Sequence, residues 1–291
     1  MAFPTTPFYL PYMGFGLAVH LLVLWWVRRN NYLKWPSGIL IGGIVSVFLY
    51  LSHPAFWLVL VFFFGSSSFL SHFREAEKRK STESYSKGGT RDGWQVLANS
   101  LGLVIFGLAN LWVHGSVKVL DPVFFLPALT FAASATADTW ATEVGTLSSS
   151  TPRSILNFRK TIPKGASGGV TIIGTVAAYC GSLLLSTTGV VFLIGTGSIS
   201  SNISTILLVA VLSLVGFLGQ VVDSLLGSIV QVRYYCPICE GMVEMTQHIR
   251  CGTENLNRSQ GVPHFNNDVV NLVSNLVAST LSLAVIVPLI L

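Results

Sequence analysis

Charge is what this chain lacks. Only 10% of its 291 residues are Asp, Glu, Lys or Arg, while 51% are hydrophobic; a soluble domain carries about a quarter charged residues. Mean hydropathy is +0.65. No separate water-soluble domain of ordinary size fits, and 1–291 reads as a single integral membrane domain. Strict apolar–polar alternation is also missing, which excludes the strands of a membrane barrel. Backbone groups in lipid must be satisfied internally, so these long runs imply helices. No cleavable signal is evident. The first apolar run has no basic residues before it, and Arg28 and Arg29 follow it, the pattern of a retained helix with its N-terminus outside.

The expected fold is an all-α polytopic membrane protein of about eight helices, with seven as the alternative. A crossing needs ~20 apolar residues. Candidate spans are 8–27, 36–52, 54–71, 96–113, 120–142, 168–193, 204–230 and 269–290. The second and third are short and separated only by Ser52 and His53, so they form either a tight hairpin or one re-entrant unit. With the N-terminus outside, 16 of the 17 Lys and Arg residues fall in loops 28–35, 72–95, 143–167 and 231–268, and the opposite side holds only Lys118. Such asymmetry marks the cytoplasmic face. An endomembrane such as the endoplasmic reticulum is expected in a eukaryote, since no plastid-like presequence is visible; a plasma or thylakoid membrane is expected in a prokaryote.

The same face collects the polar clusters. The stretch SKGGTRDGWQVLAN has paired glycines, Gly88 and Gly89, followed by Thr90 and Arg91, with Gln95 and Asn99 one helical turn apart. A guanidinium offers a rigid fork of donors matched to phosphate. The stretch SATADTWATEVG puts Asp138 in or at the edge of the fifth span and Glu143 at its end. Intramembrane acids are costly and usually line interior sites. Asp223, in a stripe of small residues with Gly216, Gly219 and Gly227, is the second. Together Asp138, Glu143 and Asp223 suit Mg²⁺, which binds through carboxylates and substrate phosphates. The bland alternative for each acid is a helix-packing hydrogen bond.

Lys164, Gly165, Ser167, Gly168 and Gly169 lead towards the sixth span, where glycines and a helix N-terminus can cradle phosphate. The order is not that of a Walker A loop. In FNNDVVNLVSN, Asn267 and Asn271 share a helix face and can read a base, a ribose or a phosphate oxygen. Within loop 231–268, Cys236, Cys239, His248 and Cys251 have the composition of a structural Zn²⁺ site, and the reducing side disfavours a disulfide there. Cys180 lies in a span and reads as core. His20, His53, His72 and His114 are not expected to be catalytic.

At these stretches, together with PRSILNFRKTIPKGASGGV and VVDSLLG, the chain resembles the transmembrane protein 19 family, which includes phytyl-phosphate kinases of tocopherol synthesis. The resemblance implies nucleotide-dependent phosphorylation of an isoprenyl monophosphate (phytyl, geranylgeranyl or farnesyl phosphate) to the diphosphate, with CTP as donor. It carries over Arg91, Asn99, Asp138, Glu143, Gly168, Gly169, Asp223, Asn267 and Asn271. One departure is visible: the family commonly has Asp-Asn-Asn where this chain has Asn266, Asn267 and Asp268, so the acid has moved two places. The expected partners are an isoprenyl phosphate, a nucleoside triphosphate and membrane lipids, with no nucleic acid. Two other classes remain: a cytidylyltransferase acting on a lipid phosphate, and a transporter of an anionic metabolite or lipid. Against transport, the polar groups crowd one face and no internal repeat is evident.

Overall fold

The structure, a computed structural model, describes residues 9–82, 89–116, 119–199, 203–248 and 251–285. Within the described residues, each of the eight apolar segments contains a helix: α1 (Tyr9–Arg29), α2 (Ser37–Ser52), α3 (Pro54–His72), α5 (Gly93–His114), α6 (Pro122–Leu147), α7 (Ile172–Gly195), α8 (Ile203–Ile229) and α9 (Asn267–Val285), with a short polar helix, α4 (Glu75–Thr82), between α3 and α5. Among the described residues five helices, α3, α5, α7, α8 and α9, are long and apolar enough to cross a membrane, and α2 is apolar but only 16 residues long. The chain is thus a multi-pass membrane protein. Trp94 and Trp112 stand exposed in the first and last turns of α5. About 27 Å separates them along the axis at ~1.5 Å per residue, close to the ~30 Å of a hydrocarbon core, the spacing of paired aromatic belts.

α2 and α3 form the tight hairpin. His53 breaks the helix with extended backbone, and its Nδ1 accepts a hydrogen bond from Ala55 N at 3.0 Å, capping α3 ahead of Pro54. Proline suits a first helical position because its missing N–H would be unpaired there anyway.

α6 is the centre. Every residue from Phe125 to Ala137 is buried, and α3, α5, α7, α8 and α9 all pack on it. A helix covered on all sides needs small side chains more than an apolar stripe. Its Ala, Ser and Thr run supplies them, which is why this segment reads as the most polar span. The neighbours approach just as closely: a Cβ at Gly219 of α8 would lie 2.3 Å from Ser134 Oγ. Ser279 of α9 donates to Pro127 O at 2.7 Å, joining two helices through a main-chain acceptor.

The bundle is all-α, as expected; the structure amends three other expectations and adds two small antiparallel sheets in the polar loops. One, ordered β2-β1-β3, uses β1 (Arg153–Ser154), β2 (Asn157–Thr161) and β3 (Gly169–Val170); the other, ordered β5-β4-β6, uses β4 (Arg233–Cys236), β5 (Gly241–Val243) and β6 (Arg258–Gln260). α6 continues to Leu147, so Glu143 sits inside its last turns rather than at its end. α7 starts at Ile172, not 168, with Thr171 as N-cap, its side chain accepting from Gly174 N. Cys180 is exposed on α7, not core: α7 turns that face away from the other helices.

Candidate functional site

Loop 28–35 is tied to the start of α5 by backbone hydrogen bonds, Arg91 N to Tyr32 O at 3.0 Å and Lys34 N to Arg91 O at 2.8 Å. The other three basic loops reach the same end of the bundle and surround a cavity of about 270 Å³. Its walls are the ends of α3 and α6, the starts of α5 and α9, the C-terminal turns of α8, and the turn 165–169.

Asp138 of α6 and Asp223 of α8 both line this cavity, with their carboxyls beside one another. Asp223 is buried. Two carboxyls in contact cannot both be charged without a proton or a cation between them. α9 orients the pair: Ser274 Oγ donates to Asp223 Oδ2 at 2.9 Å, and Asn271, with its amide nitrogen turned inward, donates to the same oxygen at 2.9 Å. Asn266 caps α9, its Oδ1 accepting from Asp268 N and Val269 N at 3.0 and 3.1 Å. Asn serves as well as Asp at an N-cap, so the displaced acid leaves the capping intact.

Glu143 is engaged elsewhere. Lys78 of α4 reaches its Oε2 at 2.5 Å, and Ser71 Oγ donates to its Oε1 at 2.7 Å. The Lys78 ammonium also donates to Leu70 O at 2.6 Å and Ser71 O at 2.8 Å. A cation is favourable on the last carbonyls of a helix, so Lys78 closes α3 and anchors it to α6. The three acids therefore do not converge as one ligand set; Asp138 and Asp223 pair, and Glu143 is charge-balanced beside them.

Arg91 lines the cavity with its guanidinium 5.4 Å from the Phe63 ring centre and 5.6 Å from that of Phe64. Its guanidinium has no hydrogen-bond partner among the described residues. Burial lowers it to about 10, against the opposing pull of Glu143, so it stays cationic at neutral pH. Asn99 also lines the cavity, holding Gln95 O through its Nδ2 at 2.9 Å and facing Asn275 at 3.5 Å. Asn267 lines it from α9.

In the glycine turn, Gly165 and Gly168 both have φ of +81°, where only glycine is unstrained. A Cβ at Gly168 would lie 1.6 Å from Ser228 Oγ. Gly168→Ala is expected to cost about 1–3 kcal/mol from the backbone alone. Gly195→Ala, which meets nothing within 4 Å, is expected within ~0.5 kcal/mol of the parent. Thermal unfolding in detergent checks both. The turn does not run into a helix as the sequence suggests. Gly169 pairs in β3, and the Ser167 N–H donates to Glu244 Oε1 at 3.0 Å, so that amide is already taken.

Two expected phosphate ligands lie off the cavity. Thr90 Oγ1 donates to Asn31 O at 2.9 Å, and Lys164 Nζ to Ser148 O; both are loop clips. Gly88 falls outside the described residues. Conversely, Lys78, Glu244, Gln220 and Ser274 reach the cavity or its acids without a sequence signal.

Cys236, Cys239, His248 and Cys251 converge at the β4–β5 end, their ligand atoms all within 4.8 Å of one another. Cys239 Sγ lies 3.5 Å from His248 Nδ1. The Cys239 backbone N–H pulls the Cys236 thiol down to about 5 despite burial, with help from His248 and Thr253, whereas burial and the neighbouring thiols push Cys251 up to about 11. Three sulfurs and an imidazole gathered this way are the donor set of a tetrahedral metal site; bonds of ~2.3 Å to sulfur would put ligand atoms about 3.8 Å apart.

No solved structure matches this chain. It is 29% identical over 256 residues to the Arabidopsis thaliana protein PGR, covering 84% of this chain and 86% of PGR. It is 29% identical over 151 residues to the uncharacterized membrane protein MJ0933 of Methanocaldococcus jannaschii, covering 45% of this chain and 63% of that protein. Residues 18–279 match the family described as integral membrane protein DUF92, and the chain belongs to that family.

Proposed function

We propose that this protein is a CTP-dependent kinase that converts an isoprenyl monophosphate to the diphosphate. The observation that carries the reading is the Asp138–Asp223 pair, Asp223 buried and Asp138 half-buried, lining one cavity with the Arg91 guanidinium at one end of an apolar bundle. An amphiphilic substrate suits that location, with its phosphate in the cavity and its chain among helices. Asp138 and Asp223 fit Mg²⁺, which takes one or two carboxylates plus substrate phosphates. When bound, Mg²⁺ supplies charge neutralisation for the donor phosphates. Glu143 contributes its field and not a ligand oxygen, since Lys78 and Ser71 occupy both oxygens.

An acceptor phosphate oxygen attacks the γ-phosphorus; the bond from that phosphorus to the β,γ-bridging oxygen breaks, and CDP leaves with its electron pair. The acceptor is already anionic, so no strong base is needed, and catalysis is positioning and charge stabilisation. Arg91 neutralises the transferring oxygens, and Asn99 and Asn267 hold the nucleotide. Sixteen of 17 basic residues on one side support a cytoplasmic location for the cavity, and the Cys/His cluster fits a structural Zn²⁺.

Arg91→Ala is expected to lower kcat/KM by about 10–100-fold, from the ~1.5–3 kcal/mol of a hydrogen bond to a charged group. Arg91→Lys should restore only part of it, since an ammonium cannot make the fork. Transfer of label from γ-labelled CTP to lipid measures this. Undiminished transfer in Arg91→Ala removes the assigned role, and incorporation of α-label instead would identify a cytidylyltransferase.

A further inference from the structure

The Cys/His cluster stands apart from the cavity, yet the sheet that holds it touches three of the cavity's walls. β4 leaves the end of α8 six residues after Gly227, and from it the Arg233 guanidinium donates to Gly227 O at 3.2 Å and to Ser167 O at 2.9 Å. Just past β5, Glu244 accepts the Ser167 N–H at 3.0 Å and itself lines the cavity. Ser167 is thus gripped at both its N–H and its C=O by side chains of one small sheet. On the far side, Val232 N donates to Phe265 O and Val262 N to Val230 O, both at 2.9 Å. That fixes the approach to Asn266 and Asn267, the cavity's α9 wall.

The sheet itself is small. Its strands are two to four residues long in their paired parts, and a ribbon this small is marginal without a staple. Cys236 ends β4 at a fully buried position, Cys239 lies in the turn to β5, and Glu244 lies between that turn and His248. A metal held by these four residues would fix both strands of the hairpin from which Arg233 and Glu244 project.

We propose that the Cys236–Cys239–His248–Cys251 site is a structural metal site whose role is to brace the cavity: through Arg233 and Glu244 it sets the Ser167 turn, and through β4 the start of α9. Arg233 and Glu244 are positioning residues. The inference concerns wall geometry and stands whether or not the kinase reading holds, because its test reads backbone exchange and metal content.

The experiment is amide hydrogen exchange on the full chain in detergent micelles, with metal content measured by elemental analysis. The purified protein is expected to hold one Zn²⁺. Cys236→Ser or Zn²⁺ removal by chelator should speed exchange in peptides covering 163–171 by about tenfold or more, local opening being reported directly by exchange. Peptides within α5 and α7 should be unchanged, and restoring Zn²⁺ to the chelated protein should restore protection. Glu244→Ala should speed the same peptides while keeping the metal, separating the brace from the staple. Absence of bound metal, or 163–171 exchange that is indifferent to metal loss and to Glu244→Ala, overturns the proposal. Faster exchange throughout the helices would equally overturn it, by making the metal a global fold requirement.

Discussion

Asp138→Asn is expected to abolish phosphoryl transfer while leaving the protein folded. A metal-held donor phosphate contributes several kcal/mol of charge stabilisation, and ~4 kcal/mol is about a thousandfold at ~1.36 kcal/mol per tenfold. The amide is nearly isosteric and can donate to Asp223, so the contact between α6 and α8 survives with one fewer acid. Ser274 and Asn271 continue to hold the Asp223 carboxyl. Thermal unfolding should therefore match or exceed the parent. Asp223→Asn should lose as much transfer and some stability, because the inward donor of Asn271 would then face an amide. Transfer at the parental rate in Asp138→Asn would remove the metal from the proposal, and unfolding would show the pair to be structural.

The largest effect on stability is expected at Lys78, a residue outside the metal pair. Its ammonium makes at least three hydrogen bonds among the described residues, and its side chain is 7% exposed, with that of Glu143 at 21%. Removing one partner of a buried pair costs about 3–5 kcal/mol, because the other charge is left without compensation. Lys78→Met is expected to lose that much, and the double variant Lys78→Met, Glu143→Gln to recover most of it. The coupling is read from a double-mutant cycle of unfolding free energies. If Lys78→Met unfolds within ~0.5 kcal/mol of the parent, the pair does not anchor α4 to α6.

The helices were legible because lipid removes alternatives: long apolar runs admit one backbone solution, and within the described residues each of the eight segments contains a helix. The centrality of α6 was legible only in reverse. Its Ser, Thr and Ala content looked like weakness in a span, yet it is what allows five neighbours to close around it. The two sheets were not legible. Asn157–Thr161 is short and exposed at every position, so no period of two marks it. The glycine turn misled for a related reason. Glycines ahead of an apolar run suggest a helix N-terminus, but Thr171, with its own side chain as cap, starts α7 after a strand.

At the site, Asp138, Asp223, Arg91, Asn99, Asn267 and Asn271 came from local pattern because intramembrane acids and interfacial amides are costly and therefore conspicuous. Lys78 and Glu244 did not, because each is defined by a partner more than 60 residues away in the chain. Lys78 looked like one more orienting charge in a basic loop. Thr90 and Lys164 went the other way: residue types suited to phosphate, placed by hydrogen bonds to carbonyls at the rim.

The most direct test of the central claim is product identification. Purified protein with Mg²⁺, CTP and farnesyl, geranylgeranyl or phytyl monophosphate is incubated, and products are read by mass. The expected products are an isoprenyl diphosphate and CDP in equal amounts. A CMP–lipid with pyrophosphate, or neither product from folded protein with all three acceptors, would contradict it.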